Sequence, residues 1–215
     1  MNNSKQEITE ELIKRMSMKI HSAYVSYLVW KWLEQSRNIN AGEERAYRNV
    51  EVMNHQSNFF HVALQGSFYS FILDLSVFFD KQKPALSLEN LLLHTNTSEE
   101  NIEKIKAILA PHDKIIQQIK KDIRDKDVAH FDIGVDRTKP NMILYKETED
   151  LFAAVQEVFN LISENFNGTL YFCAPDEESI SFEMEYLLDN LEKGENKRKE
   201  DIYKNLPLPE NVFKS

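Results

Sequence analysis

The 215-residue sequence predicts an all-α fold, a bundle of long helices, on three observations. Gly occurs 5 times and Pro 6 times, so the turns of a β-sandwich and the glycine-cradled loops of nucleotide-binding α/β folds lack their residues. Apolar side chains recur at helical spacing over long stretches. No alternating apolar–polar run exceeds Met142–Tyr145 or Thr169–Cys173, and a ribbon formed by those two pieces would leave the class unchanged. The length suits one domain over 1–194, and residues 195–215, charged and carrying Leu206-Pro207-Leu208-Pro209, read as a loosely held tail.

Each element has its own signature. Ser4-x-x-Glu7 is a capping box that opens a first helix. Ile8, Leu12, Met16, Ile20, Tyr24 and Leu28 follow at four-residue steps, with Ile13, Tyr27 and Trp32 widening the stripe and Gly42 as the stop. A second long helix is expected from Glu44 to Asp80, bent near Gly66 where two helices approach closely. Its later half is apolar around most of its circumference, which places it at the centre of a bundle or at a subunit interface. Pro84 breaks the chain; Leu86–Leu93 forms a short helix, Thr97-Ser98-Glu99-Glu100 opens another, and Pro111 fits the first turn of the next. In that last helix Ile115, Ile119 and Ile123 form one row with Ile116 beside it. Leu151, Val155, Phe159, Ile162 and Phe166 mark a helix ended by Gly168. Ile180, Met184, Leu187, Leu188 and Leu191 mark a final one from Pro175 to Gly194.

Composition narrows function. A single cysteine, Cys173 in the apolar run Tyr171-Phe172-Cys173, rules out an internal disulfide or a multi-cysteine zinc site and reads as buried filler. The amino terminus has no apolar signal core, and the most apolar stretch, Phe59–Phe79, is interrupted by His61, Gln65, Ser67, Ser70 and Asp74. The expectation is a soluble cytoplasmic protein without a membrane partner. Net charge is −9, which argues against a generic polyanion binder, whose affinity comes from Lys and Arg displacing counterions. Charge is segregated, however. Lys114, Lys120, Lys121, Arg124 and Lys126 outnumber Asp122 and Asp125 in one short segment, while Asp176–Glu192 holds seven acids and no base. The first segment could face phosphates, with Lys120, Lys121 and Lys126 as its substrate-binding cations; a solvated helix face is the competing reading.

The same segment carries Arg124-Asp125-Lys126-Asp127-Val128-Ala129-His130-Phe131-Asp132. An arginine that stays charged and a histidine that exchanges protons near neutrality suit phosphoryl chemistry, one for the non-bridging oxygens and one for proton transfer. On an unbroken α-helix six residues turn roughly 240° and rise about 9 Å. The two side chains therefore share a phosphate only if the helix ends or bends between them, or if a two-fold axis brings two copies to one cleft.

Phe79-Asp80, then Leu86-Ser87-Leu88-Glu89-Asn90-Leu91-Leu92, then R-D-K-D-V-A-H-F-D, on an all-helical chain, resembles the HEPN superfamily and within it the AbiU-type abortive-infection branch. The resemblance runs from the first helix to about Asn167. It implies a homodimeric, metal-independent endoribonuclease that needs no cofactor and acts on RNA in phage defence or opposite a neutralising antitoxin. By the same resemblance the catalytic positions are Arg124 as the phosphate-stabilising cation, His130 as the proton-transfer group and Asp125 as the polar residue orienting the arginine. The implied reaction is attack of a ribose 2′-hydroxyl on the adjacent phosphorus, leaving a 2′,3′-cyclic phosphate and a 5′-hydroxyl. Asp132 could hold the imidazole tautomer or cap a turn. Superfamily toxins paired with a nucleotidyltransferase antitoxin carry Tyr at its position, so control by nucleotide addition to such a Tyr is not expected here.

Two rivals remain. A catalytically silent helical interaction module fits the acidic balance. A metal-dependent HD-type phosphohydrolase fits Pro111-His112-Asp113, with further ligands drawn from His55, His61 or His94 and Asp122, Asp125 or Asp132, although Asp113 is already accounted for by a helix dipole. Trp30, Trp32, Tyr24 and Tyr27 could stack bases, but their spacing suits core or interface.

Overall fold

The computed structural model describes residues 3–38, 42–81, 86–129 and 145–205. Among the described residues eight α-helices follow one another: α1 (Asn3–Ser36), α2 (Glu43–His55), α3 (Ser57–Phe78), α4 (Leu88–Thr95), α5 (Glu99–Leu109), α6 (Asp113–Gln117), α7 (Tyr145–Asn167) and α8 (Glu177–Asn205). A short 3₁₀ turn, Ala110–His112, precedes α6, and a π-helical segment, Gln118–Ala129, continues it. Among the described residues there is no strand, and no helix is long and apolar enough to cross a membrane. The fold is all-α.

The frame is α1 lying antiparallel to α3. Lys19 Nζ and Ser22 Oγ both donate to Asp74, at 2.5 and 2.9 Å, Ser26 meets Ser70 at 3.1 Å, and the Trp30 ring lies 5.4 Å from Phe68. The buried row of α1 is Thr9, Ile13, Met16, Ile20, Ala23 and Tyr27. Its steps alternate four and three. A row of fours drifts about 40° per step around the helix, so the expected stripe cannot stay on one face for six turns, and its first member Ile8 is exposed.

Helix α7 closes this core from another side. Phe152 stacks on Tyr24 with centroids 4.5 Å apart and tilts against Tyr27 at 5.5 Å. Tyr27 is fully buried, and its hydroxyl donates to the Tyr145 carbonyl and Glu149 Oε1, each at 3.2 Å. Burial, then the Glu149 charge, hold that hydroxyl's pKa far above the ordinary range. Each fully buried Phe at 71, 78, 152 and 159 contributes about 1.5–3 kcal/mol by leaving water. Trp30 is thus half-buried and packed against the core, and Trp32 donates from Nε1 to Ser181 at 3.2 Å.

A second cluster, Leu33, Val52, Met53, Phe60 and Leu188, joins α1, α2, α3 and α8. Along its rim Arg45 pairs with Glu185, and Arg48 pairs with both Asp189 and Glu192. Much of the acidity of 176–192 is therefore matched by cations from α1 and α2, Lys31 to Glu177 among them at 2.8 Å.

Several expectations need correction. Ser4 lies inside α1, which already runs from Asn3, so it is not the cap. Gly42, at φ 107°, opens α2 instead of stopping α1. The expected single helix from Glu44 to Asp80 is broken at Gln56 (φ −124°, ψ 40°), and Gly66 sits within α3 with nothing within 4 Å of where a Cβ would stand. It therefore makes no close helix contact. Helix α8 passes through Gly194 to Asn205, so 195–205 of the expected tail are helical. Pairs such as Arg198–Glu195 and Lys197–Asp201 support this exposed stretch.

Among the described residues Thr169–Cys173 forms no strand. Its backbone groups are instead partnered by side chains of α7 at positions 156, 160 and 163, one helix face. Gln156 spans two groups, donating to the Tyr171 carbonyl at 2.5 Å and accepting from the Cys173 N–H at 2.7 Å. Asn160 accepts from the Tyr171 N–H at 2.9 Å, and Ser163 donates to the Thr169 carbonyl at 2.8 Å. Tyr145, the other expected ribbon end, begins α7, whereas 142–144 lie outside the described residues. Gly168, at φ 72°, ends α7 as the spacing predicted, its N–H bonding the Glu164 carbonyl at 2.8 Å. Cys173 is buried, as expected of filler, and burial pushes its thiol up to about 11.

Candidate functional site

The site begins with the isoleucine row. Ile115, Ile116, Ile119 and Ile123 are all buried, and they press α6 and the π segment onto the core beside α3. Fixing Ile119 and Ile123 inward sets their neighbours Lys120 and Arg124 along the boundary with the end of α3. A π-helix is rare and is frequently found at functional sites.

The C-terminus of α3 supplies the groups these two cations meet. The last carbonyls of a helix lack intrahelical donors and carry partial negative charge, which favours cations there. Lys120 Nζ donates to the Phe79 carbonyl at 2.8 Å. Arg124 Nη1 donates to Asp80 Oδ2 at 3.2 Å. The second carboxylate oxygen of Asp80 accepts from the Lys81 N–H at 3.1 Å. The Arg124 and Asp80 side chains are 21% and 25% exposed, so the pair is largely withdrawn from water yet reachable from it.

Two separate motif pieces thus meet in space: Phe79-Asp80 at a helix end, and the arginine forty-four residues later. The third has a local explanation. Ser87 caps α4 by accepting from the Asn90 N–H at 3.3 Å, and Leu91 buries itself in the core. That stretch therefore builds a helix start and a packing face.

Asp80 is the residue that sequence reasoning left without a role. A signal was present, because an acid at a helix C-terminus is disfavoured by the dipole and calls for a cation. Asp125 was expected to orient Arg124; its side chain and that of Lys126 lie outside the described residues, as do His130 and Asp132. Lys121 is exposed, whereas Lys120 is engaged on α3. His112 and Asp113 flank the junction between the 3₁₀ turn and α6, and Asp113 sits in the first turn of that helix. Among the described residues no three His, Cys, Asp or Glu side chains come together as metal ligands, so His112 and Asp113 gain no further ligand there.

A family model described as HEPN_AbiU2, AbiU2, matches residues 6–196. The chain belongs to the HEPN AbiU2 family. The match extends from the first turns of α1 into the part of α8 beyond Gly194, so the AbiU2 region takes in both hydrophobic clusters and the Asp80–Arg124 contact. No curated protein and no solved structure matches the chain.

Proposed function

We propose that this AbiU2 protein is a metal-independent endoribonuclease with a composite site, built where two copies meet and used in phage defence or a toxin–antitoxin setting. The observation that carries the reading is the state of Arg124. Its guanidinium is fixed by Asp80 at the end of α3, yet one-fifth of the side chain remains open to solvent. An arginine stays charged and presents its five N–H donors in a planar fork that matches the oxygens of a phosphate.

In this mechanism Arg124 binds the non-bridging oxygens of the scissile phosphate and stabilises the charge they gain in the transition state. His130 takes the proton of the attacking 2′-hydroxyl or returns one to the departing 5′-oxygen. The 2′-oxygen–phosphorus bond forms as the phosphorus–5′-oxygen bond breaks, giving a cyclic phosphate and a 5′-hydroxyl. Asp80 is a positioning residue, since it acts through Arg124. Lys121 and Lys126 would supply diffuse attraction for the RNA strand.

The test is cleavage of RNA in the presence of EDTA. The parent chain is expected to cut, and Arg124→Ala or His130→Ala to lower the rate by about 10²–10⁴-fold without loss of helicity. Equal rates for both variants and the parent would end the nuclease reading. A second reading, a silent interaction module, is favoured by the same ion pair, because Arg124 and Lys120 together also make an adequate structural clamp on α3. That reading expects no cleavage from the parent under any condition.

A further inference from the structure

Helix α3 has two apolar faces on opposite sides. At 100° per residue, Phe60, Phe71, Leu75 and Phe78 cluster around one direction and are buried in the core. Phe59, Val62, Gly66, Tyr69 and Leu73 cluster around the opposite direction. Phe59, Val62 and Leu73 are 57%, 67% and 41% exposed, and the space above Gly66 is open. The steps 59, 62, 66, 69, 73 alternate three and four, the spacing of a two-helix seam.

The charge pattern says what the seam can accept. From Val52 to Leu73, 22 consecutive residues include no Asp, Glu, Lys or Arg, in a chain that is 28% charged. Two copies of a molecule with net charge −9 repel over most of their surface. An uncharged apolar strip is where that repulsion is least and where burial stabilises contact most.

We propose that the outer face of α3 is the face on which a second copy of this chain docks, and that the two α3 helices run parallel. The direction rests on the composite-site reading; the face does not. Arg124 is bound at the C-terminal end of α3, about 18 Å along the axis from Gly66. An antiparallel pair centred on Gly66 would hold the two α3 ends roughly 36 Å apart, too far for both copies to reach one phosphate. A parallel pair sets both ends, and both copies of the π segment, side by side. A two-fold axis along the seam opposes Phe59, Gly66 and Leu73 to their own counterparts, and Gly66 allows backbones to approach. The strip from Phe59 to Leu73 is about 21 Å long and one helix wide. That falls short of the roughly 800 Å² per partner of a standard interface, so residues beside the strip must join the contact.

The test uses the full chain, whose own Cys173 is buried. Sedimentation is expected to give about twice 25.2 kDa for the parent, and Val62→Asp or Leu73→Asp to weaken association about 100-fold or more while circular dichroism stays unchanged. Phe59→Cys, Gly66→Cys and Leu73→Cys, each alone, are expected to form homodisulfides. A parent that stays monomeric at tens of micromolar overturns the proposal, as does a dimer indifferent to both aspartates. Cross-linking at Gly66→Cys alone overturns the parallel direction. Cross-linking at all three positions without RNA cleavage upholds the interface and ends the nuclease reading instead.

Discussion

Replacing Asp80 with Ala removes one partner of the pair that fixes Arg124. Both side chains are about three-quarters withdrawn from solvent, so the cost falls between that of an exposed pair, about 0–1 kcal/mol, and a buried one, about 3–5 kcal/mol. The Lys81 N–H also loses its acceptor. A loss of about 1–2 kcal/mol follows, which in a chain of this size lowers Tm by about 2–8 °C. If Asp80 positions the guanidinium, RNA cleavage in EDTA should fall about 10- to 100-fold, less than for loss of Arg124 itself. The matched control is Lys120→Met, which removes the donor to the Phe79 carbonyl and loosens the same junction. It is expected to lower Tm similarly and to leave most of the cleavage rate. Asp80→Glu should regain more activity than stability. Asp80→Ala and Lys120→Met variants that lose equal stability and equal activity would refute a positioning role and leave Asp80 as a clamp.

Other consequences are independent of the nuclease reading. With its thiol pushed up to about 11 from an ordinary value of 9.0, Cys173 holds about one-hundredth the usual thiolate at pH 8. Iodoacetamide should therefore label it at least 100-fold more slowly in the folded chain than in urea, and equal rates would contradict its burial. Gln156→Ala breaks two hydrogen bonds to the 169–173 strap, at about 0.5–1.5 kcal/mol each, and should raise hydrogen exchange at Tyr171 and Cys173 before other sites. The Arg48 hydrogen bond holds the Asp189 carboxyl below its ordinary 3.8. A lowered carboxylate contributes stability that is full above the ordinary value and is lost as pH falls through the lowered one. The Tm gap between parent and Arg48→Gln should thus be constant from neutrality to about pH 5 and shrink below pH 4.

The sequence announced the elements built from local signals. Ser98 and Gly168 each bound a helix where the sequence placed its start and its stop, because capping is decided within a few residues. The isoleucine row was equally legible, since four closely spaced apolar residues admit one buried face. Errors arose where tertiary context overrode local preference. Gly194 looked like a stop, but ion pairs beyond it carry α8 onward. Thr169–Cys173 had strand chemistry, yet its backbone groups found amide and hydroxyl side chains of α7. Asp80 was quoted as part of a motif without a task, because its partner lies forty-four residues away and only the fold brings them together. Apolar character around the whole of α3 was visible in sequence, but which half faces the core was not.

Complementation between two inactive chains bears most directly on a site assembled from two copies. Arg124→Ala and His130→Ala chains, carrying different tags, are co-expressed and the mixed dimer is purified and given RNA in EDTA. Each mixed dimer retains one arginine from one copy and one histidine from the other, so cleavage should return to about half the parent rate while each variant alone stays inactive. A mixed dimer as inert as its two parents would contradict a composite Arg124–His130 site.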